Sequence, residues 1–196
     1  MEPVRTAVLF AATALAPALL AGAQGQPSID VPAVRSQVEV LAAWAQEEIL
    51  NAVHARNEQG ISLEAIQELD ARWVAGEAPS ELEEMLNNPC AECAERLEEL
   101  LAADAAYREG LVMDYQGALV CLTGPSSDDW QVDEAEWQSA FDDDGAGQVF
   151  VDRPRYDSSA RAILVQISVP IPGPIERGGQ AVGVLTVGIE RDHFAR

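Results

Sequence analysis

Several groups of residues carry side chains able to do chemistry. Cys90-Ala91-Glu92-Cys93 is a C-x-x-C motif. In an oxidising compartment such a pair is a redox dithiol or a structural bridge. It lies just inside a predicted helix start, where the helix dipole lowers a thiol pKa. Metal binding would need more ligands, and neither a second C-x-x-C nor a His pair occurs. A c-type haem site would need His after Cys93, where Ala94 stands. A thioredoxin-like enzyme would place the motif after the first strand of a βαβ unit, and here only helical patterns precede it. Cys121 falls in a strand-like apolar run, so the reading is one Cys90–Cys93 bridge and one buried thiol.

A second group suits a small-molecule site, which needs aromatic walls and a few aimed polar groups. Trp130, Gln131, Tyr156 and Asp157 offer that mix. The alternative is that Trp130 and Trp137 fill core while Asp133 and Glu134 cap the next helix; for Trp137 the core reading is preferred. Arg153, Arg155 and Arg161 could meet an anion through the planar guanidinium fork. Arg155 is the candidate among them, against surface pairing with the many acids. On a strand, Arg155 and Asp157 would share one face and Tyr156 the other. A pocket lined by both Tyr156 and Asp157 would need a loop there, and both options stay open.

Other chemistries find little support. No Lys occurs, which removes Schiff-base catalysis. His54 and His193 have no partner at metal spacing, and there is no G-x-S-x-G or H-E-x-x-H. Asp142-Asp143-Asp144-Gly145 reads as a solvated turn, because a calcium cage needs about six or more oxygens. No acidic pair is singled out for hydrolysis. The expectation is no metal, no cofactor and no enzymatic activity.

Apolar steps of three and four mark the helices that must position these groups. Val34, Val38, Leu41, Ala45, Ile49 and Ala52 form one stripe, predicting a long helix from Val31 to near Asn57, stopped by Gly60. Leu63, Ile66, Leu69 and Trp73 predict a second helix. Ser80-x-x-Glu83 reads as a capping box, and Asn88-Pro89 as the start of a helix through Leu97 and Leu101. From Gly110 the period changes. Leu111–Tyr115 and Ala118–Leu122 read as a hairpin around Gln116-Gly117. A short helix is predicted over Asp133–Phe141. Strands follow at Gln148–Val151, around Ile163, Val165, Ile167 and Val169, and at Ala181–Glu190. The fold class is α+β: a long N-terminal helix and a helical cap region on one face of a five-stranded antiparallel sheet.

The 196 residues carry 33 acids against 12 Arg, a formal net charge of −21. That surface repels nucleic acid and anionic lipid. Residues 1–23 read as a signal peptide: Arg5, an apolar run from Ala7 to Leu20, then Ala21-Gly22-Ala23. The alternative is an uncleaved anchor, against which stand the short run and Pro17. Residues 24–30 form a linker and 31–196 a single domain, periplasmic or secreted after cleavage.

The second half resembles the Cache (PDC-type) extracytoplasmic sensor domains, whose topology is PAS-like. Met113-Asp114-Tyr115-Gln116-Gly117 resembles their first hairpin. Ser126-Ser127-Asp128-Asp129-Trp130-Gln131-Val132-Asp133-Glu134 is similar to their Trp-Gln-x-Asp-Glu loop. Tyr156-Asp157-Ser158 is similar to their Tyr-Asp element. Ile167–Ile171 and Gly183–Val187 resemble their closing strands. The resemblance implies a ligand of the amino acid, carboxylate or amine class, with Asp157 holding an amine and Tyr156 walling the site. The chain carries no second membrane segment and no output module, so a free-standing sensor is expected, signalling through a separate, membrane-bound partner protein. A homodimer along the first helix is a further expectation. Two other classes stay open: a thiol-disulfide oxidoreductase using Cys90 and Cys93, and an interaction protein with no ligand.

Overall fold

The computed structural model describes residues 31–77, 91–124, 126, 129–141, 147–173 and 179–195. The signal segment, the Ser80–Glu83 box, the Asn88-Pro89 cap, Cys90 and the Asp142–Asp144 turn lie outside them. Among the described residues no helix is long and apolar enough to cross a membrane.

The first apolar stripe forms two helices rather than one, α1 (Val31–Trp44) and α2 (Glu48–Glu58). They part at Glu47, whose φ of 48° and ψ of −113° leave the helical region. The break sends α1 along one strand of the sheet and α2 across three others. Leu41, Ala45 and Ile49 are all buried and keep helical spacing through it. Spacing therefore gave no sign of the break. Helix α3 (Leu63–Val74) begins at Ser62, whose side chain accepts the Ala65 N–H at 3.2 Å. This cap satisfies one of the free amides of the first turn. Of the predicted stripe on α3 only Ile66 is buried. Helix α4 (Ala91–Leu101) buries Cys93, Leu97 and Leu101, spaced by four on one face.

The sheet has six strands: β1 (Tyr107–Asp114), β2 (Leu119–Leu122), β3 (Phe150–Val151), β4 (Arg155–Asp157), β5 (Ala162–Pro172) and β6 (Ala181–Glu190). The order is β2-β1-β6-β5-β3, with β4 also paired to β5, and the pairings are antiparallel. The sixth strand is β4, whose residues the sequence left between strand and loop. Helix α5 (Ala135–Phe141) lies between β2 and β3 in the chain.

Strand side chains alternate between faces, and here the two faces differ. Val165, Ile167, Val169 and Ile171 of β5 join Leu185, Val187 and Ile189 of β6 in the main core. Helices α1, α2 and α4 cover this face. The other face carries a smaller cluster around Met113, Leu119, Ala140 and Val184, packed by Trp73, Trp137 and Phe141. Helix α5 covers part of it, contacting β3, β5 and β6. Helices thus lie on both faces, not on one as expected. The apolar repeat of β5 matches a half-buried strand, whose other face would carry no helix, so α5 was placed without a side.

Cys93 is joined to Cys121, not to Cys90. Cys93 faces the sheet from α4, and Cys121 points up from β2 into the same core, with Cα atoms 6.0 Å apart. Proximity in sequence favoured Cys90, but the burial of Cys93 on the Leu97 face selects the strand cysteine. Cys121 is buried as expected, but it is not free. Closing a loop with a sequence separation of 28 stabilises the chain by roughly 3–4 kcal/mol through the unfolded state.

Candidate functional site

The hairpin between β1 and β2 is held by one carboxylate. Asp114 Oδ1 accepts the Gln116 N–H at 2.8 Å and the Ala118 N–H at 3.0 Å. Asp114 is 2% exposed and lies 3.6 Å from the buried Arg56 of α2. Burial pushes the Asp114 carboxyl above its usual range, against its two amide bonds and Arg56. Gly117 takes φ 79°, and a Cβ there would come within 3.2 Å of the Val132 nitrogen. The turn thus lets the 129–132 segment run against it. Gln131 N–H donates to Gly117 O at 2.8 Å and Leu119 N–H to Asp129 O at 3.0 Å.

That segment is pinned from behind by α3. Asp70 Oδ1 accepts the Asp129 and Trp130 N–H groups at 3.0 and 3.1 Å. Trp73 Nε1 donates to Ser126 O at 3.2 Å. Trp130 Nε1 donates to Gln116 O at 2.8 Å, which turns its ring toward the hairpin. Trp137 Nε1 donates to Asp114 O at 3.2 Å and its ring stacks on Phe141 with centroids 5.0 Å apart. Trp137 is therefore core, as expected.

In front of this segment, over the polar part of the sheet, lies a cavity of about 410 Å³. Its floor is Glu109, Leu111 and Met113 of β1, Thr186 of β6 and Gln166 of β5. One wall is Gly124, Ser126, Gln131, Glu134 and Glu136; the other is Asp157, Ser158 and Ser159 from the β4–β5 hairpin. On the floor Glu109 and Gln166 both pair with Gly188 from opposite sides. A Cβ at Gly188 would lie 2.7 Å from Glu109 Cγ. The missing side chain lets Gln166 Nε2 reach across and donate to Glu109 Oε1 at 2.5 Å. Beside them the hydroxyls of Ser168 and Thr186 are 2.8 Å apart and buried. Asp157 Oδ1 accepts from Ser159 Oγ at 2.6 Å and Ala160 N–H at 2.7 Å.

Electrostatics separate the two acids. The hydrogen bonds from Ser159 and Ala160 hold Asp157 below its ordinary value. Glu109 is pushed up, first by burial and then by the charges of Asp157 and Glu136, against the hydrogen bond from Gln166. Among the described residues the lining holds four carboxylates and no Arg or His.

Of the residues expected from sequence, Gln131 and Asp157 line this cavity. Trp130 lies behind the wall. Tyr156 is 68% exposed and points away, because β4 is a strand and places it opposite Arg155 and Asp157. Arg155 shares that side with Asp157 but its Nε binds Asp152 Oδ2 at 2.8 Å, outside the cavity lining. Cys93 is 1% exposed in its bond to Cys121, so neither the expected Cys90–Cys93 bridge nor the alternative redox pair is formed. Sequence reasoning missed Glu109, Gln166, Thr186 and Glu136. A signal existed for Gln166 and Thr186: each is a polar residue interrupting an apolar strand on one face.

No family model matches the chain, and no curated protein sequence does. Among solved structures the chain is similar to the ligand-binding domain of the Campylobacter jejuni chemoreceptor Tlp3 in complex with 4-methylisoleucine. That likeness has 15% identity and a TM-score of 0.41, covering 83% of this chain and 60% of the other. The extracellular domain of a histidine kinase gives 16% identity and a TM-score of 0.42, covering 82% and 60%. The ligand-binding domain of the Pseudomonas aeruginosa PAO1 amino acid chemoreceptor PctC in complex with GABA gives 16% and 0.38, covering 65% and 56%. The chain spans about 60% of the length of the first two and 56% of the third.

Proposed function

We propose that this chain is an exported small-molecule-binding sensory module, and that its ligand site is the cavity over the polar face of the sheet. One observation carries the reading. The cavity of about 410 Å³ has the size of small-ligand sites and brings Gln131 and Asp157 together with strand residues Glu109, Gln166 and Thr186. Its walls come from three separate stretches of chain, so occupancy would bias how they sit. The backbone of Ser126, on the wall, and of Asp129 and Trp130, behind it, is bonded to Asp70 and Trp73 of α3. A ligand that favours one position of the wall shifts α3 with it, and the exposed side of α3 would show that change to a separate signalling protein.

Thermal unfolding of the purified protein against amino acids, carboxylates, amines and neutral polyols tests the reading. A true ligand at a hundred times its dissociation constant adds about 2.7 kcal/mol of stability, and Gln131→Ala removes that gain. If no compound of any class moves the midpoint, the ligand-binding reading fails and the interaction-protein reading takes its place.

A further inference from the structure

Helices α1 and α2 are two pieces of one amphipathic pattern. Leu41, Ala45 and Ile49 stay buried at steps of four across the break between them. The stretch Trp44-Ala45-Gln46-Glu47-Glu48 holds no Gly or Pro, and Ala, Gln and Glu are strong helix formers. The backbone nevertheless leaves the helix at Glu47, at φ 48° and ψ −113°. A residue with a Cβ is strained there. Glu47 is exposed, and its side chain does not cap α2. Local preference favours one continuous helix, and the fold bends it. What holds the bend is the docking of α1 on the sheet. Val34 and Val38 pack against the main core beside the buried Leu41. Gln37 Oε1 accepts from the Tyr107 hydroxyl at 2.7 Å, and its Nε2 lies 2.8 Å from His193 Nε2. The rings of Trp44 and Tyr107 meet edge to face with centroids 5.1 Å apart.

In a single chain, straightening the helix would strip these contacts from the sheet and expose Leu41, a loss larger than the strain it relieves. A second copy removes that loss. Its α1 carries the same side chains into the vacated seat, and an exchanged element remakes every contact it leaves. We propose that α1 is an exchange arm. Two copies swap α1, each arm docks on the partner's sheet, and residues 31–58 become one helix about 42 Å long. A short hinge under strain between a docked element and its body favours such an exchange. Two intact copies set side by side along their first helices are a different assembly, in which each α1 keeps its own sheet and each Glu47 its strain. Each copy carries a net charge of −21, so salt, which screens that repulsion, favours the exchanged dimer. The α1 seat is on the sealed face of the sheet, away from the cavity, and the exchange is independent of the ligand-binding reading.

The test uses the purified protein carrying Cys90→Ser, which excludes a Cys90 bridge between copies, refolded from denaturant at high protein concentration in high salt. Sedimentation velocity should show a dimer beside the monomer. Hydrogen exchange should find the amides of Gln46, Glu47 and Glu48 more protected in the dimer, where each has a helical acceptor four residues back. Glu47→Gly tolerates the positive φ and disfavours the continuous helix. It should weaken dimerisation about a hundredfold, roughly tenfold for each of the two hinges, while its monomer melts at or above the parent temperature. Two glycines inserted after Gln46 should weaken dimerisation as well, and carry the test if Glu47→Gly does not fold. Val34→Ala should lower the melting temperature of monomer and dimer alike and leave their ratio unchanged, because its contact is the same in both. Each of three results would overturn the proposal. One is a monomer at every concentration. Another is a dimer as abundant in Glu47→Gly as in the parent. The third is a dimer whose amides at 46–48 exchange as fast as the monomer's, the mark of two intact copies side by side.

Discussion

The two faces of the sheet share strands and differ in almost everything else. Under α1, α2 and α4 the side chains of β5 and β6 are Val, Ile and Leu, nearly all sealed from solvent. One residue along each strand, on the opposite face, stand Gln166, Ser168, Thr186 and Gly188. The first face is filled and stapled by Cys93–Cys121. The second is left partly hollow, roofed by a loop and a short helix. The comparison teaches a division of labour within single strands. Alternation lets one set of residues supply stability while the neighbouring set is released to hold polar groups that weaken the fold.

If that division holds, the largest effect belongs to the sealed face. Ile167→Ala should remove about 3–4 kcal/mol of unfolding free energy in urea denaturation, the usual range for emptying a closed core position. A loss under about 1 kcal/mol would show that this face is not the tightly packed one. Cys121→Ser should lower stability by about 3 kcal/mol, and reduction of the parent protein should reproduce most of it. An unchanged midpoint on reduction would break the claim that α4 and β2 are cross-linked.

The polar face should respond in the opposite direction. Glu109 has its pKa raised above the ordinary 4.5 by burial and by neighbouring acids. The folded state therefore binds its proton more tightly than the unfolded chain does. Its ionisation works against folding at neutral pH, and stability should rise as pH falls through the raised folded value toward 4.5. Glu109→Gln should keep or slightly raise the neutral-pH melting temperature and flatten that part of its pH profile. A clear drop in melting temperature for Glu109→Gln would mean that this carboxylate is a structural partner, not a strained one. The smallest effect is expected at Tyr156, which is 68% exposed. Tyr156→Ala should change stability by no more than about 0.5 kcal/mol and leave ligand stabilisation intact. Loss of ligand stabilisation there would move the site to the other side of β4.

Much of the fold was legible in local pattern. The last strand runs Ala181–Glu190 as expected, and the β1–β2 hairpin, the end of α2 before Gly60 and the stretch of α3 follow from local pattern. What periodicity cannot see is a break that preserves the stripe, as at Glu47, or a three-residue edge strand such as β4. The site was legible only in part. Gln131 and Asp157 were found because they stand beside aromatic residues in polar stretches. Gln166 and Thr186 were passed over because each sits alone inside an apolar run, Glu109 because it follows Arg108 at the polar start of its strand, and all three are far apart in sequence.

The sequence by itself determined that this is an α+β chain with a strongly acidic surface, a helical first half and an antiparallel second half. Those follow from residue type and short-range spacing, which act over a turn or a strand. Only the tertiary structure decided which cysteine meets Cys93, that helices cover both sheet faces, and that Glu109 and Gln166 meet across Gly188. Each depends on the register of strands distant in sequence. Register is set by the packing of the whole sealed face, where a one-residue slip would turn every core side chain outward.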